Sequence, residues 1–190
     1  MSKGLLLVVS SPSGGGKGTI ISKIRENREI AFSVSATTRK PREGELDAVH
    51  YHFLSKEEFE KKISENKMLE YASFCDNFYG TPKEPVEKIL NEGKDIILEI
   101  EVQGAKNVKK AMPECVSIFI APPSIKVLEE RLRGRGTEDE ETIKKRIDRA
   151  KIELEMVSDY DYLVINNTVE KATEEVTAII TAEKLKTNRI

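Results

Sequence analysis

At 190 residues the chain is long enough to bury a hydrophobic core without disulfides or metal, and short enough to be a single domain. Its 38% hydrophobic and 34% charged composition excludes a disordered or fibrous protein, and 31 basic against 33 acidic residues leave no net field to gather nucleic acid. An anionic ligand must therefore be held by local basic groups.

The first element is the apolar run "LLLVVS" at 5–10, a strand candidate too short and too poorly flanked for a signal peptide or a membrane span. It predicts a cytoplasmic protein with no membrane partner. The loop "SSPSGGGKGT" at 10–19 follows, and then a helical stretch, "GTIISKIREN". A strand, a glycine loop with a lysine and a helix in register form the context in which backbone N–H groups and a helix N-terminus face phosphates, with Lys17 adding a point charge. Two positions depart from the generic pattern. Ser11 stands where glycine is usual, and Pro12 accounts for it by biasing residue 11 toward extended geometry, where no positive φ is needed. Gly18 replaces the hydroxyl residue that many such loops place on magnesium. Thr19 offers one instead, or the ion is held by substrate phosphates and water, since Mg²⁺ retains several waters. The departures point to an enzyme in which two phosphate chains share the metal.

From Phe32 to Thr81 the pattern changes to short period-two strands, "VHYHF" and "LEYASF", a turn at "CDN" and one helix, "SKEEFEKKISEN". This predicts a small mixed β insertion. Within it, "SVSATTRKPREGE" carries Arg39 and Arg42, a fork suited to a compact dianion such as a monophosphate, although a solvated basic loop has the same composition. Glu45, Tyr51, Glu70, Tyr79 and Thr81 follow. Guanine presents N1–H and N2–H₂ side by side, which one carboxylate with a hydroxyl reads well, whereas adenine leaves that carboxylate unpaired at about 1–3 kcal/mol. Each of these residues taken singly also fits a structural role. His50 and His52 share one face of the expected strand, but no third ligand has zinc spacing, so packing or exposure is the expectation. Cys75 and Cys115 lack CxxC spacing and are expected to be free thiols.

Further apolar runs, "DIILEI" at 95–100, "VSIFIA" at 116–121 and "DYLVIN" at 161–166, read as strands buried on both faces. Helices are expected at Ser124–Arg133, at about Asp139–Met156 and after Asn167. "RGRGTEDEE" at 133–141 interrupts them with charge and glycine, the composition of a mobile surface segment. The alternation predicts an α/β fold: a parallel sheet flanked by helices, a small mixed β insertion and a short lid.

In order and spacing, "SPSGGGKGT", "SVSATTRKPREGE", "YHF", "LEYASF", "NFYGTP", "LEIEVQGA", "FIAPPS", "RLRGRGTE" and "IKKRI" resemble guanylate kinases, over Gly4 to Leu185. The resemblance implies one domain at 4–185: a core at 4–31, 82–130 and 150–185, a GMP-binding region at about 32–81 and a lid at about 131–149. By it, ATP is held by Ser11, Pro12, Ser13, Gly14, Gly15, Gly16, Lys17, Gly18, Thr19, Arg131, Arg135 and Asn167, with "INNT" at 165–168 where adenine sits. GMP is held by Ser35, Arg39, Arg42, Glu45, Tyr51, Glu70, Tyr79 and Thr81, with Glu70 on the base and Arg39, Arg42 and the tyrosines around the phosphate. Glu99 and Glu101 match the family's acidic pair, where some members carry aspartate, and are grouped with the GMP site.

The expected reaction is direct, reversible transfer of the ATP γ-phosphoryl group to GMP, and to dGMP, with Mg²⁺ bridging ATP's β and γ oxygens. Lys17, Arg42, Arg135 and Arg146 carry transition-state charge, and no covalent intermediate or strong general base is required. The insertion and the 133–141 segment are expected to close over the substrates and exclude water. Partners are then ATP and GMP alone, with no nucleic acid and no obligate protein. Two rival readings are a non-catalytic guanylate-kinase-like interaction module, against which Lys17 stands, and a kinase for AMP or UMP, against which Glu70 and Ser35 stand.

Overall fold

The computed structural model describes residues 3–74, 76–134, 136 and 139–189. Strand β1 (Leu6–Ser10) runs into the glycine loop and helix α1 (Lys17–Asn27). Next come the two-residue strands β2 (Ala31–Phe32), β3 (Ala36–Thr37) and β4 (His52–Phe53), helix α2 (Lys56–Ser64), the hairpin β5 (Met68–Phe74) and β6 (Asn77–Pro82), and helix α3 (Lys83–Asn91). The remainder is β7 (Ile96–Glu99), α4 (Val102–Ala111), β8 (Val116–Ala121), α5 (Ile125–Gly134), α6 (Glu140–Glu155), β9 (Tyr162–Ile165) and α7 (Val169–Lys184), with 3₁₀ turns at Met156–Asp159 and Thr187–Arg189.

The five-stranded sheet has the order β2-β7-β1-β8-β9. Its β2/β7 and β8/β9 pairs are parallel, with Ala31 opposite Ile96 and Ile118 opposite Tyr162. β1 and β8 are buried along their whole length, as continuous apolar runs require when helices cover both faces. The second sheet is mixed, in the order β4-β3-β6-β5, with β3/β4 parallel and β3/β6 and β5/β6 antiparallel. The expected α/β class and mixed insertion are both present.

Two expectations change. "VHYHF" contracts to the two residues of β4, because Phe53 N–H donates to Asp47 Oδ1 at 2.9 Å and Ala48, at φ 59°, turns the chain away. His50 therefore sits in a turn, its Nδ1 accepting from Leu46 N–H at 3.0 Å, and does not share a strand face with His52. Helices α3 and α4 occupy 83–91 and 102–111, stretches where no element is expected from the sequence. Proline is tolerated in a first turn, where its missing N–H has no intrahelical partner, and Pro85 is the third residue of α3.

By its internal contacts the chain divides into two compact units, one of residues through Leu7, Ile30–Leu98 and Gln103–Cys115, the other of Val8–Glu29, Glu99–Val102 and Val116 onward. In the first, α2 lays Phe59 on the mixed sheet beside Ala36 and Met68, stacked on Phe78 at 5.4 Å. A reciprocal cap fixes where α2 begins: Ser55 Oγ accepts from Glu58 N–H at 3.1 Å and Glu58 Oε2 accepts from Ser55 N–H at 2.7 Å. In the second unit, Leu128 and Leu132 of α5 interlock with Ile143 and Ala150 of α6, and Phe119 meets Tyr160 edge-on at 5.1 Å. Among the described residues no helix is long and apolar enough to cross a membrane.

Candidate active site

In the second unit, β1 delivers the chain into a loop whose shape the glycines dictate. Gly14 and Gly16 have φ of 89° and 92°, left-handed values that L-residues avoid. Gly15 is required for space, since a Cβ there would fall 2.0 Å from Ser11 Oγ. Ser11 is not among the positive-φ residues, as Pro12 implied, and its hydroxyl donates to Pro12 O at 3.0 Å. Gly16 is the N-cap of α1, with no acidic residue in the first turn, so the first N–H groups face outward from an electropositive helix end. Lys17 Nζ, at the start of α1, donates to Ile100 O at 3.1 Å. Burial pushes the Lys17 ammonium below its ordinary range, and the carboxylates of Glu99, Glu101 and Glu153 pull it back.

Cations converge on this loop from α5 and α6. Arg146 Nη1 donates to Ser13 Oγ at 3.0 Å, and Arg131 Nη2 donates to Asn166 O at 3.0 Å. Glu99 is exposed, its Oε1 near 3.7 Å from where a Gly18 Cβ would stand, and Thr19 is exposed in the first turn of α1. Glu101, also exposed, accepts from Arg149 Nη2 at 3.4 Å. Asn167 is exposed after β9, its N–H donating to Ile165 O at 2.8 Å. Arg135 lies outside the described residues, as does Cys75. Cys115 is buried.

In the first unit, strand pairing sorts the insertion onto two faces. Glu70 is opposite Thr81, and Tyr79 is opposite both Ala72 and Thr37. With period-two alternation, Ser35, Thr37, Glu70, Tyr79 and Thr81 share the face opposite the Phe59 core, and Phe53, opposite Thr37, brings Tyr51 to that side. Glu70 is 6% exposed, accepting from Thr81 Oγ1 at 2.7 Å. Burial pushes its carboxyl above the ordinary range, partly offset by hydrogen bonds from Thr81.

Beside this pair Arg39 packs on aromatic rings. Arg39 lies 5.5 Å from the centre of the Tyr51 ring, and Tyr51 meets Tyr79 edge-on at 6.1 Å. Glu45 holds Arg39 by two parallel bonds of 2.9 Å and also accepts from Arg42 N–H at 2.7 Å. These donors keep the Glu45 carboxyl at about 2, the hydrogen bonds from Arg39 contributing most. Gly44, at φ 82°, makes the turn that brings Glu45 back to Arg42. Arg42 itself is exposed.

Two residues that receive no individual role from the sequence, Asn166 within "INNT" and Glu153, are buried at the loop. Asn166, 2% exposed, donates from Nδ2 to Gly15 O at 2.8 Å. Its signal was a polar residue ending the apolar run "LVIN". Glu153, 6% exposed, accepts from Arg149 Nε at 2.8 Å, and the R-x-x-x-E spacing on a helix could have revealed it. Among the described residues no group of three or more His, Cys, Asp or Glu is arranged to hold a metal ion.

A buried parallel strand, a glycine loop capping a helix at its lysine, and arginines turned to that loop define an α/β phosphate-loop protein that binds nucleotides. The second unit alone carries that class. Comparison with known proteins narrows it: the chain belongs to the guanylate kinase family, whose model matches residues 3–183. It is 52% identical to the guanylate kinase of Carboxydothermus hydrogenoformans, covering 100% of this chain and 94% of that one. It is 53% identical to that of Clostridioides difficile, covering 100% and 93%. The crystal structure of guanylate kinase from Anaplasma phagocytophilum superposes with a TM-score of 0.81 at 36% identity, over 100% of this chain and 90% of that one. The chain is accordingly an ATP:GMP phosphotransferase.

Proposed function

We propose that the two units divide the substrates, the loop of the second holding the ATP phosphates and the outward face of the mixed sheet in the first holding GMP. The observation that carries the assignment is the buried Glu70–Thr81 pair on the same sheet face as Tyr79, beside the Arg39–Tyr51 cradle. Oε1 of Glu70 is taken by Thr81, leaving the second oxygen for guanine N1–H and N2–H₂, while Ser35 lies on the same face. Arg39, Arg42, Tyr51 and Tyr79 grip the monophosphate, and Glu45 orients Arg39 for that grip, as their bidentate pairing supports.

At the donor side, Ser11 to Thr19 wrap the phosphates, with Arg131 and Asn167 toward the rest of ATP. A phosphate monoester has a second pKa near 6, so the acceptor is already nucleophilic at neutral pH. The enzyme's part is in-line placement and charge stabilisation by Lys17, Arg42, Arg135 and Arg146. Mg²⁺ fits this site: Glu99 beside Gly18 is a hard oxygen donor, and Thr19 is exposed nearby. Phosphates and water would supply its other ligands, with Glu101 beside Arg149 completing the acidic stretch. The ion supplies neutralisation of the β and γ oxygens when bound. The enzyme recycles free GMP, and dGMP, in the cytoplasm, acting without nucleic acid, membrane or obligate protein partner.

A coupled assay with ATP and each of GMP, dGMP, AMP, UMP and CMP tests the assignment. Turnover is expected with GMP and dGMP, and equal rates on AMP and GMP overturn it.

A further inference from the structure

We propose that Asn166 is the positioning residue of the phosphate loop, the clamp that aims its amides before ATP arrives. The inference rests on the reading of that loop as the ATP phosphate site and names the side chain that shapes it. Asn166 follows β9, and its own N–H donates to Ala121 O at 2.8 Å, which continues the β8/β9 ladder by one rung. Its backbone is therefore fixed by the pairing of β9 with the fully buried β8. From that fixed point Nδ2 reaches across 151 residues of sequence to Gly15 O at 2.8 Å. Its carbonyl accepts from Arg131 Nη2 at 3.0 Å, so one residue ties the loop, β9 and α5 together.

A trans peptide is planar, with its C=O and N–H pointing in opposite directions. Holding Gly15 C=O against Asn166 therefore turns the Gly16 N–H the other way, out of the buried side of the loop. Glycines are the residues most in need of such a tether, because each loses more backbone freedom on ordering than any other residue. The fit is close enough to dictate sequence: a Cβ on Gly16 would fall 2.2 Å from Asn166 Nδ2. Asn166 Oδ1 and Arg131 Nη1 are buried without a protein hydrogen-bond partner among the described residues, so Asn166 is not a fully satisfied structural amide. Asn167, the neighbour in sequence, is exposed and makes no bond to the loop among those described.

The test uses the full chain with Asn166→Asp, which keeps the shape but sets an oxygen against Gly15 O, and Asn166→Ala, which removes the amide. KM for ATP and the dissociation constant of ADP by calorimetry are expected to rise together by about tenfold or more in both variants, the effect of an unpaired buried carbonyl. KM for GMP should stay within about twofold. A purely structural residue would lower Tm and the active fraction while leaving both KM values alone, and that result overturns the proposal, as does an equal rise in both. Failure of both variants to fold also counts against it, since a positioning residue is dispensable for the fold. Wild-type ADP binding and GMP turnover, measured alongside, report separately on the loop's assignment: ADP failing to bind the wild-type protein would remove that assignment and not merely the clamp.

Discussion

Glu70→Gln separates recognition of the base from recognition of the phosphate. The wild-type carboxylate is 6% exposed and has one oxygen committed to Thr81 Oγ1 at 2.7 Å. On the proposed assignment its remaining acceptor capacity meets the donor pair of guanine, and the amide of the variant replaces one acceptor with a donor. Losing a hydrogen bond to a charged group removes about 1.5–3 kcal/mol. At 1.4 kcal/mol per tenfold, KM for GMP should rise about 10- to 150-fold, with KM for ATP unchanged within about twofold. Proton linkage sharpens the test. Burial raises the folded-state pKa of Glu70 above its unfolded value, so the fold favours the neutral acid. That contribution to stability is present at low pH and is lost as pH rises through the folded value. Guanine binding selects the ionised form and works in the opposite sense. In the wild type, KM for GMP should therefore climb as pH falls through the raised value, on top of the titration of the GMP phosphate near 6. The variant keeps only the phosphate part, so the two profiles should differ by one proton in slope. Steady-state kinetics between pH 5 and pH 8 decide it. Superimposable profiles, or a KM for GMP within twofold of wild type, refute the assignment of Glu70 to the base.

Lys17→Ala should reduce kcat about 10²- to 10³-fold while calorimetry shows GMP binding intact; loss of both together would mean misfolding. Glu45→Gln leaves Arg39 without its bidentate partner and should raise KM for GMP about tenfold. Because the Glu45 pKa is depressed to about 2, the pair's stabilising contribution is present above the ordinary carboxylate range and is lost only as pH falls toward 2. Acid unfolding of the variant, followed by circular dichroism, should lack that component. Phe59→Ala removes a fully buried ring stacked on Phe78 and should lower unfolding free energy by about 3–5 kcal/mol in a denaturant titration. Adding ATP analogue and GMP together should reduce the radius of gyration measured by X-ray scattering, and an unchanged value would count against substrate-linked closure.

The central strands were legible because a strand covered on both faces must be apolar throughout: "VSIFIA" became β8 without a residue's shift. The glycine loop was legible for a related reason, since Gly14 and Gly16 occupy backbone conformations that few other residues enter. What stayed hidden depends on distant contacts. Glu45 reads in sequence as one more carboxylate near a phosphate site, and only the turn at Gly44 shows that it faces Arg39. Asn166 is separated from its loop partner by 151 positions, a distance at which no local periodicity carries information. Helix α3 carries Pro85 in its first turn, where the missing N–H is harmless, so a residue that breaks a helix interior marks no boundary there.

Four of the cations proposed to meet phosphate have partners within the protein. Lys17 rests on the Ile100 carbonyl, Arg131 on that of Asn166, Arg146 on the Ser13 hydroxyl and Arg39 on the Glu45 carboxylate. A partly buried charge without a partner would be destabilising, so these contacts let the protein fold around the groups proposed to meet phosphate. They also set how tightly phosphate binds. Each incoming oxygen exchanges with an existing acceptor, and the net gain is the difference between two hydrogen bonds, not the full strength of one. Exchange with a neutral carbonyl or hydroxyl favours the phosphate, because an anionic acceptor adds Coulombic attraction to a bond the cation already assists. Exchange with a carboxylate yields much less, so Arg39 binds best if it keeps Glu45 and offers its remaining donors. On the proposed assignment, the donor site would gain its affinity by swapping partners and the acceptor site by adding to them. On this basis Lys17 and Arg146 are the groups whose positions should change most on ATP binding, while the Arg39–Glu45 pair should persist when GMP is bound.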